Sequence, residues 1–334
     1  MNDDATEGST RPAAPGDGEA LAMILRVARL DDVAEGVRRF ELRADGGAEL
    51  PAFGAGSHVS VRTPSRLVRK YSLCGDPAHR DRYEIAVRRE PAGRGGSTSL
   101  FDDVAAGDAL EVGEPRNAFP LVEAPAYVFV AGGIGITPIR SMIATLRGEG
   151  FDAWRLVYLG RSPATTPFLD EFGGPELASR VQLHFDGADP ARAFDLWPLL
   201  ERPTRAHVYC CGPRALMDAV RDMTGHWRGS SIHFESFVDG AAMARPDDRP
   251  FVARLARTGI DVAVPAGTTI LEAVRASGVR VPSSCESGTC GSCRTALLAG
   301  EAEHRDLVLG PDEHASAIMV CVSRARSPML LLDL

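Results

Sequence analysis

Polar and apolar residues alternate in short runs over residues 23–30, 58–62 and 83–88, with Gly, Pro and Asp between the runs. A period of two sets one face of a strand toward a core and the other toward water. Closely spaced short strands of this kind predict an antiparallel β-barrel over residues 22–124. The pattern changes over residues 125–237. There, apolar runs at 127–131, 154–159, 181–185 and 206–211 alternate with helical stretches, which predicts an α/β domain with a parallel sheet. Residues 238–250 are small, polar or proline-rich without a period and predict a linker. Over residues 251–334, strand-like runs at 251–255 and 260–264 precede an amphipathic stretch at 269–276 and a cysteine loop, which predicts a small α+β domain. Residues 1–21, acidic and rich in small residues, predict a disordered tail.

Composition fits this division. A chain of 334 residues, 44% hydrophobic, has room for two or three globular domains. Its net charge of −8 gives no basic footprint for nucleic acid. No apolar run is long enough to span a membrane, and the N-terminus lacks the basic and apolar regions of a signal peptide, so the chain is expected to be cytoplasmic. A reducing compartment disfavours disulfides and makes clustered cysteines candidate metal ligands. Nearly all the positive charge is arginine; the one lysine, Lys70, reads mainly as compositional bias.

Cys285, Cys290 and Cys293 stand as C-x4-C-x2-C, and Cys321 follows after 27 intervening residues. That is the plant-type 2Fe-2S spacing, and a 2Fe-2S cluster moves one electron at a time. Gly288, Gly291 and the small Ser and Thr residues let the loop turn sharply and aim amide N–H groups at the sulfurs. Structural zinc is the rival reading, but it usually takes two C-x2-C pairs or Cys/His pairs.

Gly132, Gly133, Ile134, Gly135, Ile136, Thr137 and Pro138 join an apolar strand to a helix. Glycines admit close backbone approach, and a helix N-terminus favours the pyrophosphate of a dinucleotide. Glycine-rich turns of this kind occur in other α/β folds as well, and this one is not a G-x-G-x-x-G fingerprint. Cys211, Gly212 and Pro213 end the domain's fourth strand, at the carboxyl edge where open sheets bind ligands; the cysteine pair there also reads as core filling. In the barrel segment, Arg69, Lys70, Tyr71 and Ser72 put a cation, a ring and a hydroxyl on one expected strand. These suit a phosphate, a flat ring system and a hydrogen bond to it, with an ordinary surface strand as the alternative. Residues 93–97, ending in Gly95, Gly96 and Ser97, resemble a second phosphate cradle or a hairpin turn.

Arg69-x-Tyr-Ser72, the glycine turn at 132–138 and Cys211-Gly-Pro213, in this order, are markers of the ferredoxin-NADP reductase superfamily. With the C-terminal cysteines added, the chain resembles the phthalate dioxygenase reductase family from about residue 22 to its end. The resemblance implies an FMN-binding barrel, an NAD(H) domain and a 2Fe-2S domain that pass electrons to a terminal oxygenase component of Rieske type. It implies that Arg69, Gly95, Gly96 and Ser97 hold the FMN phosphate end, that Tyr71 and Ser72 contact the isoalloxazine, and that Phe237 covers its other face. Lys70, Ala86, Val87 and Arg88 join the cofactor contacts. Gly133, Ile134, Gly135, Thr137 and Pro138, with Cys211, Gly212 and Pro213, would place the nicotinamide beside the flavin. Ser72, Thr137 and Cys211 would wall the hydride-transfer pocket.

The electron count then requires an intermediary. NADH delivers two electrons together and the cluster accepts one, so FMN is the transformer between them. One position departs from a strict NADH reader: Ser162 stands where an acidic residue is expected, and Arg161 can accept a 2′-phosphate, so NADPH is the alternative nucleotide. The resemblance further implies a monomer that meets its oxygenase in a transient complex. The competing readings are a reductase for a cytochrome P450 or a demethylase, and an NADPH-linked redox carrier or sensor.

Overall fold

The structure, a computed structural model, describes residues 21–237 and 245–334. Residues 1–20 of the expected tail and 238–244 of the expected linker lie outside that range. No helix among the described residues is long and apolar enough to cross a membrane.

The first domain is one antiparallel sheet of β1 (Met23–Ala34), β2 (Val37–Arg43), β3 (Ser57–Arg62), β4 (Val68–Ser72), β5 (Tyr83–Arg88), β6 (Ala109–Val112) and the short β7 (Arg116–Asn117). Its order is β4-β3-β6-β1-β2-β5, with β7 beside β3. A bridge from Leu73 to Ile85 and a hydrogen bond from Cys74 N–H to Glu84 O (2.8 Å) join the two edges, so the sheet curls into a barrel. Alternate residues such as Val27, Phe40, Leu42, Val59, Val61 and Ile85 fill it. Strand β1 continues past residue 30, where hydrophobic alternation stops. Asp31 and Asp32 face Arg39 and Arg38 across the ladder at 2.6 and 2.7 Å, and these cross-strand ion pairs carry the strand on. Helix α1 (Gly96–Asp103) covers the barrel through buried Leu100.

In the second domain β8 (Tyr127–Gly132), β9 (Trp154–Gly160), β10 (Val181–Phe185), β11 (His207–Cys211) and β12 (Ile232–Glu235) form a parallel sheet ordered β10-β9-β8-β11-β12. The strand order reverses between β8 and β11, and the carboxyl ends of those two strands therefore flank a crevice. Helix α2 (Ile136–Gly148) buries Ile139, Met142, Ile143 and Leu146, a helical stripe packed on Phe129 and Tyr209. Helices α3 (Leu169–Phe172), α4 (Trp197–Leu200) and α5 (Arg214–Met223) complete it.

The third domain holds β13 (Phe251–Leu255), β14 (Ile260–Val264), α6 (Ile270–Ala276), β15 (Arg294–Ala299), β16 (Ala302–Glu303), β17 (Ala317–Met319), β18 (Arg324–Ala325) and β19 (Met329–Leu332). Its main sheet runs β14-β13-β19-β15-β17, with β16 and β18 paired apart. A capping box starts α6: Thr269 Oγ1 accepts from Glu272 N–H at 3.1 Å, and the Glu272 carboxylate accepts from Thr269 N–H at 2.8 Å.

Polar contacts tie the domains together. Arg140 of α2 donates to Cys74 O (2.7 Å) and pairs with Glu84 of β5 (2.9 Å) and with Glu171 (2.7 Å). Arg214 and Arg221 of α5 donate to the carbonyls of Arg305 and Asp306 at 2.9 and 3.0 Å, and Leu307 packs beside Met217 and Val220. Residues 245–250 of the expected linker are docked: Asp248 pairs with Arg305 at 2.5 Å, the two side chains 2% and 3% exposed.

Candidate functional site

At the crevice the two turns interlock. A methyl on Gly132 would lie 2.6 Å from Pro213 Cδ, and one on Gly135 only 2.1 Å from Cys211 O, so nothing larger than glycine fits. Gly133, Ile134 and Gly135 form a tight turn into α2, with Gly133 left-handed at φ 55 and open space where its side chain would be. Thr137 Oγ1 donates to Ile134 O at 2.9 Å, which holds the turn's shape. Cys211 is fully buried, and burial, with Glu235 and Cys210 adding, pushes its thiol well above the usual range. Such a thiol is a wall rather than a nucleophile. Gly133 to Pro138 and Cys211 to Pro213 thus make one slot.

A second cluster of candidate residues lies on the barrel. Arg69 of β4 lies against Gly96 at the start of α1, where an added methyl would come within 3.1 Å of Arg69 Cγ and Nε. Gly95 takes φ 90 to bring the chain into the helix. Arg69 Nη1 donates to Val68 O at 2.8 Å, and a guanidinium beside a helix N-terminus is chemistry that suits an anion. Ser97 Oγ accepts from Glu90 N–H at 3.2 Å. Tyr71 is half-buried, and burial pushes its phenol up to about 12 although Arg69 opposes this. Ala86 packs in the core between barrel and nucleotide domain, Val87 points into the barrel core, and Arg88 is exposed and paired with Glu90 at 2.8 Å. Lys70 turns elsewhere: its Nζ donates to Ser284 O, in the cysteine loop, at 2.8 Å.

Ser72 of β4 meets the nucleotide domain at Glu235, the last residue of β12, which sequence reasoning missed. Ser72 Oγ donates to Glu235 Oε2 at 3.2 Å, and the carboxyl lies within electrostatic reach of Cys211 and Cys285. Burial pushes this carboxyl up to about 8, with Ser72 opposing and Cys285 adding. Phe237 follows two residues later and is 45% exposed. Arg161 is also exposed, on the loop after β9.

In the cysteine loop, Ser287 and Thr289 N–H groups point at Cys285 Sγ at 3.4 and 3.5 Å, and Cys285 N–H points at Cys290 Sγ at 3.5 Å. Gly288 and Gly291 take left-handed φ values of 75 and 81 to make this possible. All four cysteines are free thiols, Cys285 and Cys290 half-buried and Cys293 and Cys321 buried. The Ser287 and Thr289 N–H groups favour the thiolate of Cys285 and lower its pKa against its burial. Among the described residues no single point gathers three or more Cys, His, Asp or Glu groups. A two-iron core asks two thiolates of each iron, and the donor set fits that requirement.

Comparison with known proteins agrees with this geometry. The family described as 2Fe-2S iron-sulfur cluster binding domain matches residues 253–326, and that described as oxidoreductase FAD-binding domain matches residues 25–120. The chain is 53% identical to phthalate dioxygenase reductase of Burkholderia cepacia, covering 93% of this chain and 97% of the relative. A solved phthalate dioxygenase reductase, described as a modular structure for electron transfer from pyridine nucleotides to [2Fe-2S], superposes with a TM-score of 0.68 at 50% identity, covering 95% of this chain and 98% of that one. An intact type IV self-sufficient cytochrome P450 monooxygenase is similar at 36% identity and TM-score 0.69, over 97% of this chain and 43% of that one.

Proposed function

We propose, from the premise that the chain belongs to the phthalate dioxygenase reductase family, that it is the reductase component of a multi-component oxygenase, oxidising NADH and handing single electrons to a terminal oxygenase. Residues 22–124 hold the flavin, 125–237 the nucleotide and 251–334 the cluster, with 238–250 joining the last two. The observation that carries this reading is the convergence on Glu235: Ser72 of the barrel, Cys211 of the nucleotide crevice and Cys285 of the cysteine loop all lie around one buried carboxyl.

When bound, flavin accepts a hydride and releases electrons one at a time, and the 2Fe-2S cluster carries them singly. Arg69 and the start of α1 bind the phosphate of the flavin, taken as FMN. Tyr71 and Ser72 would contact its ring system, and Phe237, exposed two residues after β12, would cover the other face. The interlocked glycine turns would hold the nicotinamide beside that ring, and positioning of this kind would supply most of the rate. Burial raises the Glu235 carboxyl above its usual range, and it accepts from the Ser72 hydroxyl at 3.2 Å, which holds that hydroxyl in place. Cys285, Cys290, Cys293 and Cys321 hold the cluster, two thiolates to each iron.

The protein acts as a cytoplasmic monomer in transient contact with its oxygenase. The similarity to the P450 monooxygenase makes a haem oxygenase the alternative acceptor. NADH-driven reduction of cytochrome c tests the reading: sustained turnover with NADH, and much less with NADPH, supports it. A protein that bleaches once and stops is a carrier or sensor, and preference for NADPH would assign Arg161 to a 2′-phosphate.

A further inference from the structure

Lys70 is the one lysine among 37 strongly basic side chains, and it occupies a specific place. It lies on β4 between Arg69 and Tyr71, and its Nζ donates at 2.8 Å to the carbonyl of Ser284, the residue immediately before Cys285. The partners are 214 positions apart. The loop that receives this bond is braced on its other side. Ser283 Oγ donates to Glu286 at 2.7 Å, Arg275 of α6 pairs with Glu286 at 2.9 Å, and Glu286 itself takes a left-handed φ of 56. The charge of Lys70 also acts on Glu286. The slim ammonium reaches a single carbonyl, whereas the planar fork of an arginine matches paired acceptors.

The other ties of the third domain described above run from Arg305, Asp306 and Leu307 to α5 and Asp248, and Leu307 N–H also donates to Gly288 O at 2.8 Å, in the second half of the cysteine loop. They hold the domain and the second half of the loop from α5, whereas the bond of Lys70 to Ser284 reaches the first half from β4.

We infer that Lys70 is a positioning residue for electron passage from the flavin to the cluster: by holding Ser284 it keeps Cys285 against the strand that carries Tyr71 and Ser72. This rests on the relay proposed above. Each passage takes one electron from reduced flavin and adds it to the oxidised cluster, with no bond made or broken at Lys70, and two passages dispose of the pair from one hydride.

The test uses the full-length protein with flavin and cluster bound, as Lys70→Met, Lys70→Gln and Lys70→Arg, each matched to wild type in iron content. Hydrogen exchange over residues 281–293 is read first. Faster exchange there in Lys70→Met, with α2 and β8 unchanged, is expected. Anaerobic rapid mixing with NADH is read second, following flavin bleaching optically and the reduced cluster by its freeze-quench EPR signal. In Lys70→Met the rate of cluster reduction falls at least about tenfold relative to flavin bleaching in the same sample. Lys70→Arg, which keeps a charged donor, and Lys70→Gln, which keeps a neutral one, recover part of it. Unchanged exchange in the loop, or an unchanged ratio of the two rates, overturns the inference, as does a uniform slowing of both steps. A wild-type protein whose flavin NADH does not bleach refutes the relay itself, and is distinguishable from either result.

Discussion

Gly135→Ala tests whether the interlocked turns are the nicotinamide slot. The added methyl would lie 2.1 Å from Cys211 O, 2.4 Å from Cys211 C and 2.8 Å from Gly212 N. Non-bonded heavy atoms rest about 3.5 Å apart, so the end of β11 must retreat from the start of α2 by more than about 1 Å. All three obstructing atoms are backbone, and no rotamer change relieves them. Overpacking of this kind costs about 1–3 kcal/mol of stability, and a displacement of about 1 Å beside reacting groups costs on the order of 10²-fold in rate. The assay is anaerobic rapid mixing with NADH, compared with dithionite, which reaches flavin and cluster without the nucleotide slot. Flavin bleaching by NADH is expected to fall about 10²-fold while dithionite reduces both centres fully. Gly148→Ala serves as control: it sits in the last turn of α2 with nothing within 4 Å of the new methyl, and should stabilise by about 0.5–1 kcal/mol. Wild-type melting and wild-type NADH bleaching in Gly135→Ala refute the packing argument, and equal loss with NADH and dithionite refutes its assignment to the nucleotide.

Cys321→Ser removes one of the four thiolates; iron per chain, measured by metal analysis, should fall well below roughly two, while NADH still bleaches the flavin. Glu235→Gln addresses the buried carboxyl. Its folded value near 8 lies above the ordinary 4.5, so its contribution is complete below about pH 4.5 and is lost progressively as pH rises toward 8. The variant should therefore gain on wild type across that window, by on the order of 3 kcal/mol at pH 7, read by melting both proteins at each pH. A pH-independent gap would place the charge elsewhere.

The features legible in the sequence are local ones. The glycine turn, the Cys211 turn and the cysteine loop announce themselves because left-handed and close-approach backbone demands glycine within a few residues of the ligating or slot-forming group. Strand runs such as 83–88 and 251–255 matched their elements, since alternation survives wherever one face meets a core. Contacts between distant segments were not legible. Glu235 is one acidic residue at the end of a short strand, and it is buried only because three domains close over it. Lys70 read as composition because its partner carbonyl lies in the far domain. Nothing local marks Arg140 of α2, which binds Cys74 O and Glu84 across the first domain boundary. Strand β19 lies between β13 and β15 in the middle of the third sheet, parallel to β13, a pairing no local pattern specifies.

The central claim is a relay from NADH through flavin to a 2Fe-2S cluster, and an anaerobic electron titration with EPR detection tests it most directly. The account predicts uptake of roughly three electron equivalents per chain, two on the flavin and one on the cluster, with NADH bleaching the flavin before the cluster signal grows. Uptake of only two equivalents, or a cluster that stays oxidised while NADH reduces the flavin, would contradict it.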